Sequence, residues 1–94
     1  MKLLMIIIES GHEDELEAFL EGCGVIGYTE VAPVRGSGRS GHRLGSGAFP
    51  KTSALVFTLV EDGAVATLRA GLDGFCRDCG ERPRLITWAA DEVA

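Results

Sequence analysis

The sequence predicts a single α+β domain in the order β-α-β-β-α-β, and three observations carry that prediction. First, two apolar runs, Lys2–Glu9 and Ser53–Val60, have the length and residue types of buried strands. Second, each is followed by a segment with apolar residues at helical spacing: Leu16, Phe19, Leu20 and Cys23, then Val65, Leu68, Leu72 and Phe75. Third, each helix leads into another strand-like run, so the two halves repeat one plan. With short connections and right-handed crossovers this order gives a ferredoxin-like sandwich, a four-stranded antiparallel sheet with two helices on one face.

The elements follow in order. KLLMIIIE reads as a strand buried on both faces. Its apolar stretch is too short for a secretory or membrane-spanning segment, and a cytoplasmic protein without a membrane span is expected. Ser10-Gly11-His12-Glu13 fits a capping box, with the Ser10 hydroxyl expected to cap the first helix. Glu13, Asp14 and Glu15 suit the positive end of its dipole. Gly24 is placed to end it. Gly27–Val34 reads as the second strand, with Pro33 predicting a bulge or an edge position. Ser53–Val60 is the third strand. Asp62 is the expected cap of the second helix, which Gly71 and Gly74 weaken by about 1 kcal/mol each relative to alanine. Arg84–Ala90 is the last strand. The first and third strands are apolar on both sides, so the sheet face opposite the helices needs cover, and packing between copies of the chain is the natural solution.

With 94 residues, the chain is one small domain over residues 1–94. Its 46% hydrophobic content excludes a disordered protein, and its net charge of -5 argues against nucleic-acid binding. Three cysteines without a secretion signal do not make a disulfide framework.

Against this acidic background, Arg35–Thr52 (RGSGRSGHRLGSGAFPKT) stands out. No Asp or Glu occurs between Glu30 and Glu61. The connection is much longer than a hairpin needs, with a long loop expected at about residues 36–52. Glycines let backbone N–H groups approach an anion, and arginine adds paired donors that fit phosphate or carboxylate. Gly36-Ser37-Gly38-Arg39-Ser40-Gly41 matches G-x-G-x-x-G, yet no helix follows, so it is not a dinucleotide fingerprint. Arg77, Arg82 and Arg84 form a second basic cluster that matters if it converges with Arg39 on one anion. Cys76-x-x-Cys79 supplies at most two metal ligands, and it sits at a helix end, the wrong pole for a redox thiolate. With His42 it is the metal-site alternative. No nucleophile–base–orienter set is present, so an enzyme is not expected.

Gly24-Val25-Ile26-Gly27-Tyr28-Thr29, followed by Arg35-Gly36-Ser37-Gly38-Arg39 and Gly41-His42, resembles the PII signalling proteins, in which G-V-x-G-M-T leads into a strand and K-G-x-G-R-x-x-G-H opens a long loop. The resemblance implies a regulatory homotrimer with ligand sites between subunits and a loop that engages a partner protein, such as a transporter or enzyme. Carried over by position, it implies that Gly27, Tyr28 and Thr29 lie near the base or ribose of an adenine nucleotide. Gly36, Ser37, Gly38 and Arg39 would close over that ligand, and Leu59 and Val60 would line the apolar pocket. The family's phosphate loop, G-K-I-G-D-G-K, is replaced by CRDCGERP at Cys76–Pro83, where Gly80, Arg77 and Arg82 are the substitutes, with Arg84 further on. The uridylylated tyrosine of the family's loop is absent, since Tyr28 is the single tyrosine. The chain is therefore similar to PII-like relatives linked to carbon uptake. ADP, AMP, a cyclic nucleotide and bicarbonate are all open as the small anionic ligand. Two alternatives remain: a metal-responsive trimer similar to CutA proteins or to the partners of metal-efflux systems, and an interaction module without a small ligand.

Overall fold

A computed structural model describes residues 1–39, 41–75 and 82–94. Its elements are β1 (Lys2–Glu9), α1 (Glu13–Gly22), β2 (Thr29–Val34), β3 (Gly36–Gly38), β4 (Gly41–Arg43), β5 (Ser53–Val60), α2 (Ala64–Asp73) and β6 (Arg84–Ala89). The main sheet has the order β2-β5-β1-β6, with every pairing antiparallel. This is the predicted ferredoxin-like arrangement, with the two apolar strands in the centre.

The period-2 geometry of β1 and β5 sorts their side chains. Leu4, Ile6 and Ile8 pair in register with Thr58, Val56 and Ala54, and all six are buried. Leu16 and Leu20 from α1 and Leu68 and Leu72 from α2 complete one core with these apolar residues. Each fully buried Leu or Ile contributes roughly 2 kcal/mol of transfer free energy. The opposite face carries Leu3, Met5 and Ile7 beside Leu59, Phe57 and Leu55, and Trp88 and Ile86 beyond them. β1 is thus buried on one face and half-exposed on the other in the single chain, not buried on both.

Several local expectations change. Ser10 does not cap α1; His12 holds that position without a side-chain cap bond. The Ser10 hydroxyl instead accepts from Thr52 Oγ1 at 2.7 Å. Glu13 does reach back, but to the backbone N–H of Gly11. Asp62 likewise does not cap α2, whose N-cap is Gly63; its carboxylate binds the Met1 ammonium at 2.8 Å. Cys23 lies exposed past the end of α1, outside its buried stripe. Gly24 follows with φ of +81°, as its predicted role at the helix end requires.

β2 begins at Thr29, later than expected, because Gly27 and Tyr28 lie outside the ladder. It is an edge strand, and its register shifts between Val31 and Val34, across Pro33. Gly71 fits a need for space: a Cβ there would fall 2.6 Å from the Phe19 ring. Phe19 in turn packs on Phe75 with ring centroids 5.8 Å apart.

The long basic connection is not one open loop. Gly36–Gly38 and Gly41–Arg43 form a small hairpin, with Gly36 opposite Arg43 and Ser37 opposite His42. The chain beyond is closed by backbone bonds from Leu44 N to Phe49 O, Gly45 N to Lys51 O and Ser46 N to Phe49 O. The Ser46 hydroxyl also accepts from Phe49 N at 3.1 Å.

Candidate functional site

The predicted site residues fall at two ends of the sheet. At one end, β1, β2 and β6 meet the glycine hairpin. A cleft of about 320 Å³ opens there, lined by Ile7, Ile8, Val34 and Leu55 on its apolar side. Its polar side is Arg35, Gly36, Ser37, Gly38, Arg43, Arg82 and Arg84, with Glu9. The register of Ile7 against Arg84 places Arg84 on the sheet face away from the helices. The cleft thus brings Gly36, Ser37 and Gly38 together with Arg82 and Arg84. Arg82 is also held by Asp73, at 2.9 Å. Arg39 is exposed near the hairpin turn and is not among the residues lining this cleft.

Sequence reasoning missed Arg43 and Glu9. Arg43 is only 8% exposed, a buried cation on β4. It stands opposite Gly36 across the hairpin. Its Nη1 lies 3.7 Å from Glu9 Oε1, and Lys51 Nζ lies 3.3 Å from the same oxygen. Arg43 was visible as part of the basic run, whereas its partner at the end of β1 is apparent only once the chain folds back.

At the other end lie Gly27, Tyr28, Thr29, Leu59 and Val60. An apolar cleft of about 410 Å³ is lined there by Gly24, Val25, Ile26, Gly27, Leu59, Val60, Ala64 and Leu68, among others. A shallower depression beside it takes in Tyr28, Thr29, Phe57, Leu59 and Glu92. The Thr58 hydroxyl donates to the Gly27 carbonyl at 2.6 Å and ties this segment to β5. Tyr28 and Glu30 face the acidic side of α1. Partial desolvation, then the charge of Glu17 and its neighbours, pushes both the phenol and the Glu30 carboxyl above their ordinary ranges.

The two ends do not meet within one chain. Ser53 lines the basic cleft and Val60 the apolar one, and the strand between them spans about 23 Å.

For the metal alternative, His42 packs edge-on against Phe49, with centroids 4.8 Å apart. Among the described residues no group of three or more His, Cys, Asp or Glu is arranged to hold a metal. Cys76, Arg77, Cys79 and Gly80 lie outside the described residues. Among those described, no helix is long and apolar enough to cross a membrane.

Comparison with known proteins agrees with this fold. No relative was found among the curated proteins. Among solved structures, the chain is similar to CPII from Thiomonas intermedia K12, described as a nitrogen regulatory PII-like protein bound to ADP, AMP and bicarbonate. The identity is 25% and the TM-score 0.72, over 93% of this chain and 84% of that one. A second CPII structure, bound to ADP and bicarbonate, matches with the same values. The apo form of CPII matches at 23% identity and a TM-score of 0.68, over 93% of this chain and 87% of that one. The family model for nitrogen regulatory protein P-II matches residues 1–81. With its fold, its glycine hairpin and that match in agreement, the chain belongs to the nitrogen regulatory protein P-II family.

Proposed function

We propose that the protein is a PII-like regulator, not an enzyme, that binds an adenine nucleotide such as ADP or AMP in clefts between the subunits of a homotrimer. Ligand binding sets the conformation of the segment from Gly36 to Thr52, which engages a partner protein, a transporter or enzyme of carbon metabolism in the cytoplasm. The observation that carries this reading is the division of the site. The apolar end, with Gly27, Tyr28, Thr29, Leu59 and Val60, suits a base and ribose. The basic end, with Gly36, Ser37, Gly38, Arg82 and Arg84, suits phosphates. They stand at opposite ends of one protomer, so a complete site needs the apolar end of one subunit beside the basic end of the next. The open sheet face, with Met5, Phe57, Ile86 and Trp88, supports close packing of several copies. The ADP, AMP and bicarbonate of CPII support the ligand class.

Arg39 and Arg77 are assigned to the same site, Arg39 as the hairpin residue that closes on the phosphates and Arg77 as their second basic contact. Isothermal titration with ATP, ADP, AMP and cyclic nucleotides tests the assignment. At least one adenine nucleotide is expected to bind, and Arg39→Ala is expected to weaken it about tenfold or more, the loss of a charge-assisted contact. Binding unchanged by Arg39→Ala removes that residue from the site; silence across the series removes the nucleotide.

A further inference from the structure

Among the described residues the buried polar side chains are Arg43 and Thr58, and Thr58 is only 4% exposed. It stands at a core-facing position of β5, opposite Leu4 in register and on the same face as Val56 and Ala54. An apolar residue would fill that position, and a hydroxyl there is costly unless it is bonded. The Thr58 hydroxyl donates to the Gly27 carbonyl at 2.6 Å, within the range of a well-formed O–H···O bond.

Gly27 belongs to the connection between α1 and β2, and packing does little to place it. Ile26 is wholly exposed and Gly27 has no side chain. The sheet ladder begins only at Thr29, opposite Phe57. Hydrogen bonds hold the connection instead. Val25 N donates to the Leu20 carbonyl at 3.0 Å, Thr58 holds the Gly27 carbonyl, and the Tyr28 phenol donates to the Glu17 carboxylate.

The bond from Thr58 also sets a direction. The Gly27–Tyr28 peptide is trans, so its N–H points opposite to its C=O. With the carbonyl turned to Thr58 on β5, the Tyr28 N–H points away from β5, off the open edge of the sheet. That N–H makes none of the turn and loop bonds among the described residues. Gly27 lines both the apolar cleft of about 410 Å³ and the depression beside it.

We propose that Thr58 is a positioning residue for the ligand site: by fixing the Gly27–Tyr28 peptide, it aims the Tyr28 N–H as a donor to an acceptor atom of the nucleoside. This deepens the nucleotide site proposed above and rests on its apolar end. A donor already held in place loses little freedom when the ligand arrives. Without the hydroxyl the Gly27 carbonyl turns to water, and the N–H loses its fixed direction. Phosphate recognition, at the other end of the sheet, does not depend on this bond.

The test titrates ADP, AMP and inorganic diphosphate into the wild type, Thr58→Val and Thr58→Ser. Thr58→Val keeps the shape and removes the donor; it is expected to weaken nucleotide binding about tenfold and to leave diphosphate binding unchanged. Thr58→Ser keeps the hydroxyl and should recover most of the affinity. In amide spectra, the nucleotide should shift the Tyr28 N–H strongly in the wild type and in Thr58→Ser, and weakly in Thr58→Val. Melting curves check the fold, and Thr58→Ala replaces Thr58→Val if that variant does not fold. Unchanged nucleotide binding by Thr58→Val overturns the role of Thr58 and leaves the nucleotide reading standing. So does an equal loss of nucleotide and diphosphate, or an equal loss in Thr58→Val and Thr58→Ser. Silence of the wild type towards both nucleotides overturns the nucleotide site and this role with it.

Discussion

Gly71 shows how one residue serves packing against its own local preference. In isolation a glycine inside α2 costs about 1 kcal/mol relative to alanine. Here the Phe19 ring occupies the volume a Cβ would need, at 2.6 Å. Phe19 is fixed between that site and Phe75, so it yields only by leaving its contact. Gly71→Ala is expected to destabilise the protein by about 1 kcal/mol, because overpacking exceeds the helical gain. In a Phe19→Leu background the same change should become neutral or stabilising. Chemical denaturation of the four proteins gives the cycle; a stabilising Gly71→Ala in the wild-type background contradicts the packing argument. The sequence marked Gly71 as a weakness because the ring that needs it lies on another helix. Ser10 misled for the same kind of reason. Its local pattern fits a capping box, but its hydroxyl is engaged by Thr52, far along the chain. Glu13, whose partner Gly11 is local, keeps part of its expected role.

At the scale of elements, the apolar runs β1 and β5 and the stripes of α1 and α2 were legible because residue period alone determines which side chains share a face. Pro33 was equally legible, since a residue without an N–H belongs at an edge or an irregularity, and β2 provides both. The β3–β4 hairpin was not legible. Its strands are only three residues long, rich in glycine and without an alternating apolar pattern. The packing of α1 beside edge strand β2 has an electrostatic consequence. Glu30 faces Glu17, Glu13 and Asp14, and with partial desolvation this raises its carboxyl above the ordinary value. A raised folded-state value means the fold prefers protonated Glu30. That preference contributes at low pH and is lost as pH rises through the folded-state value, where the charged form is repelled. Glu30→Gln should therefore raise the melting temperature at pH 7, and the gain should vanish once the pH falls below the ordinary carboxylate range, where wild-type Glu30 is protonated. Melting curves of both proteins across that range test it; an equal gain at both ends contradicts the charge argument.

The molecule as a whole poses the question of how two distant half-sites serve one ligand. A chain of this size buries roughly two-thirds of its unfolded surface. It leaves an apolar sheet face open, with Leu59 39% and Trp88 42% exposed. The sequence announced that face by making β1 and β5 apolar on both sides, and it announced the basic cluster by charge. It did not announce that Arg43 answers to Glu9, or that Arg39 stands clear of the cleft it was expected to line. Closed rings of identical subunits repeat one heterologous contact, and such a contact brings unlike ends together at every boundary. The measurement that tests this most directly is complementation between two variants, each disabled at one end. Arg84→Ala removes a cation from the basic end. Gly27→Phe fills the apolar end, where a Cβ meets nothing within 4 Å and the fold tolerates the addition. Each variant alone is expected to bind no ADP. After unfolding and refolding as an equal mixture, the two should recover about a quarter of wild-type binding capacity, as random assembly of a closed three-membered ring dictates. A mixture that stays silent while the wild type binds would contradict a site shared between subunits, as would full binding by either variant alone.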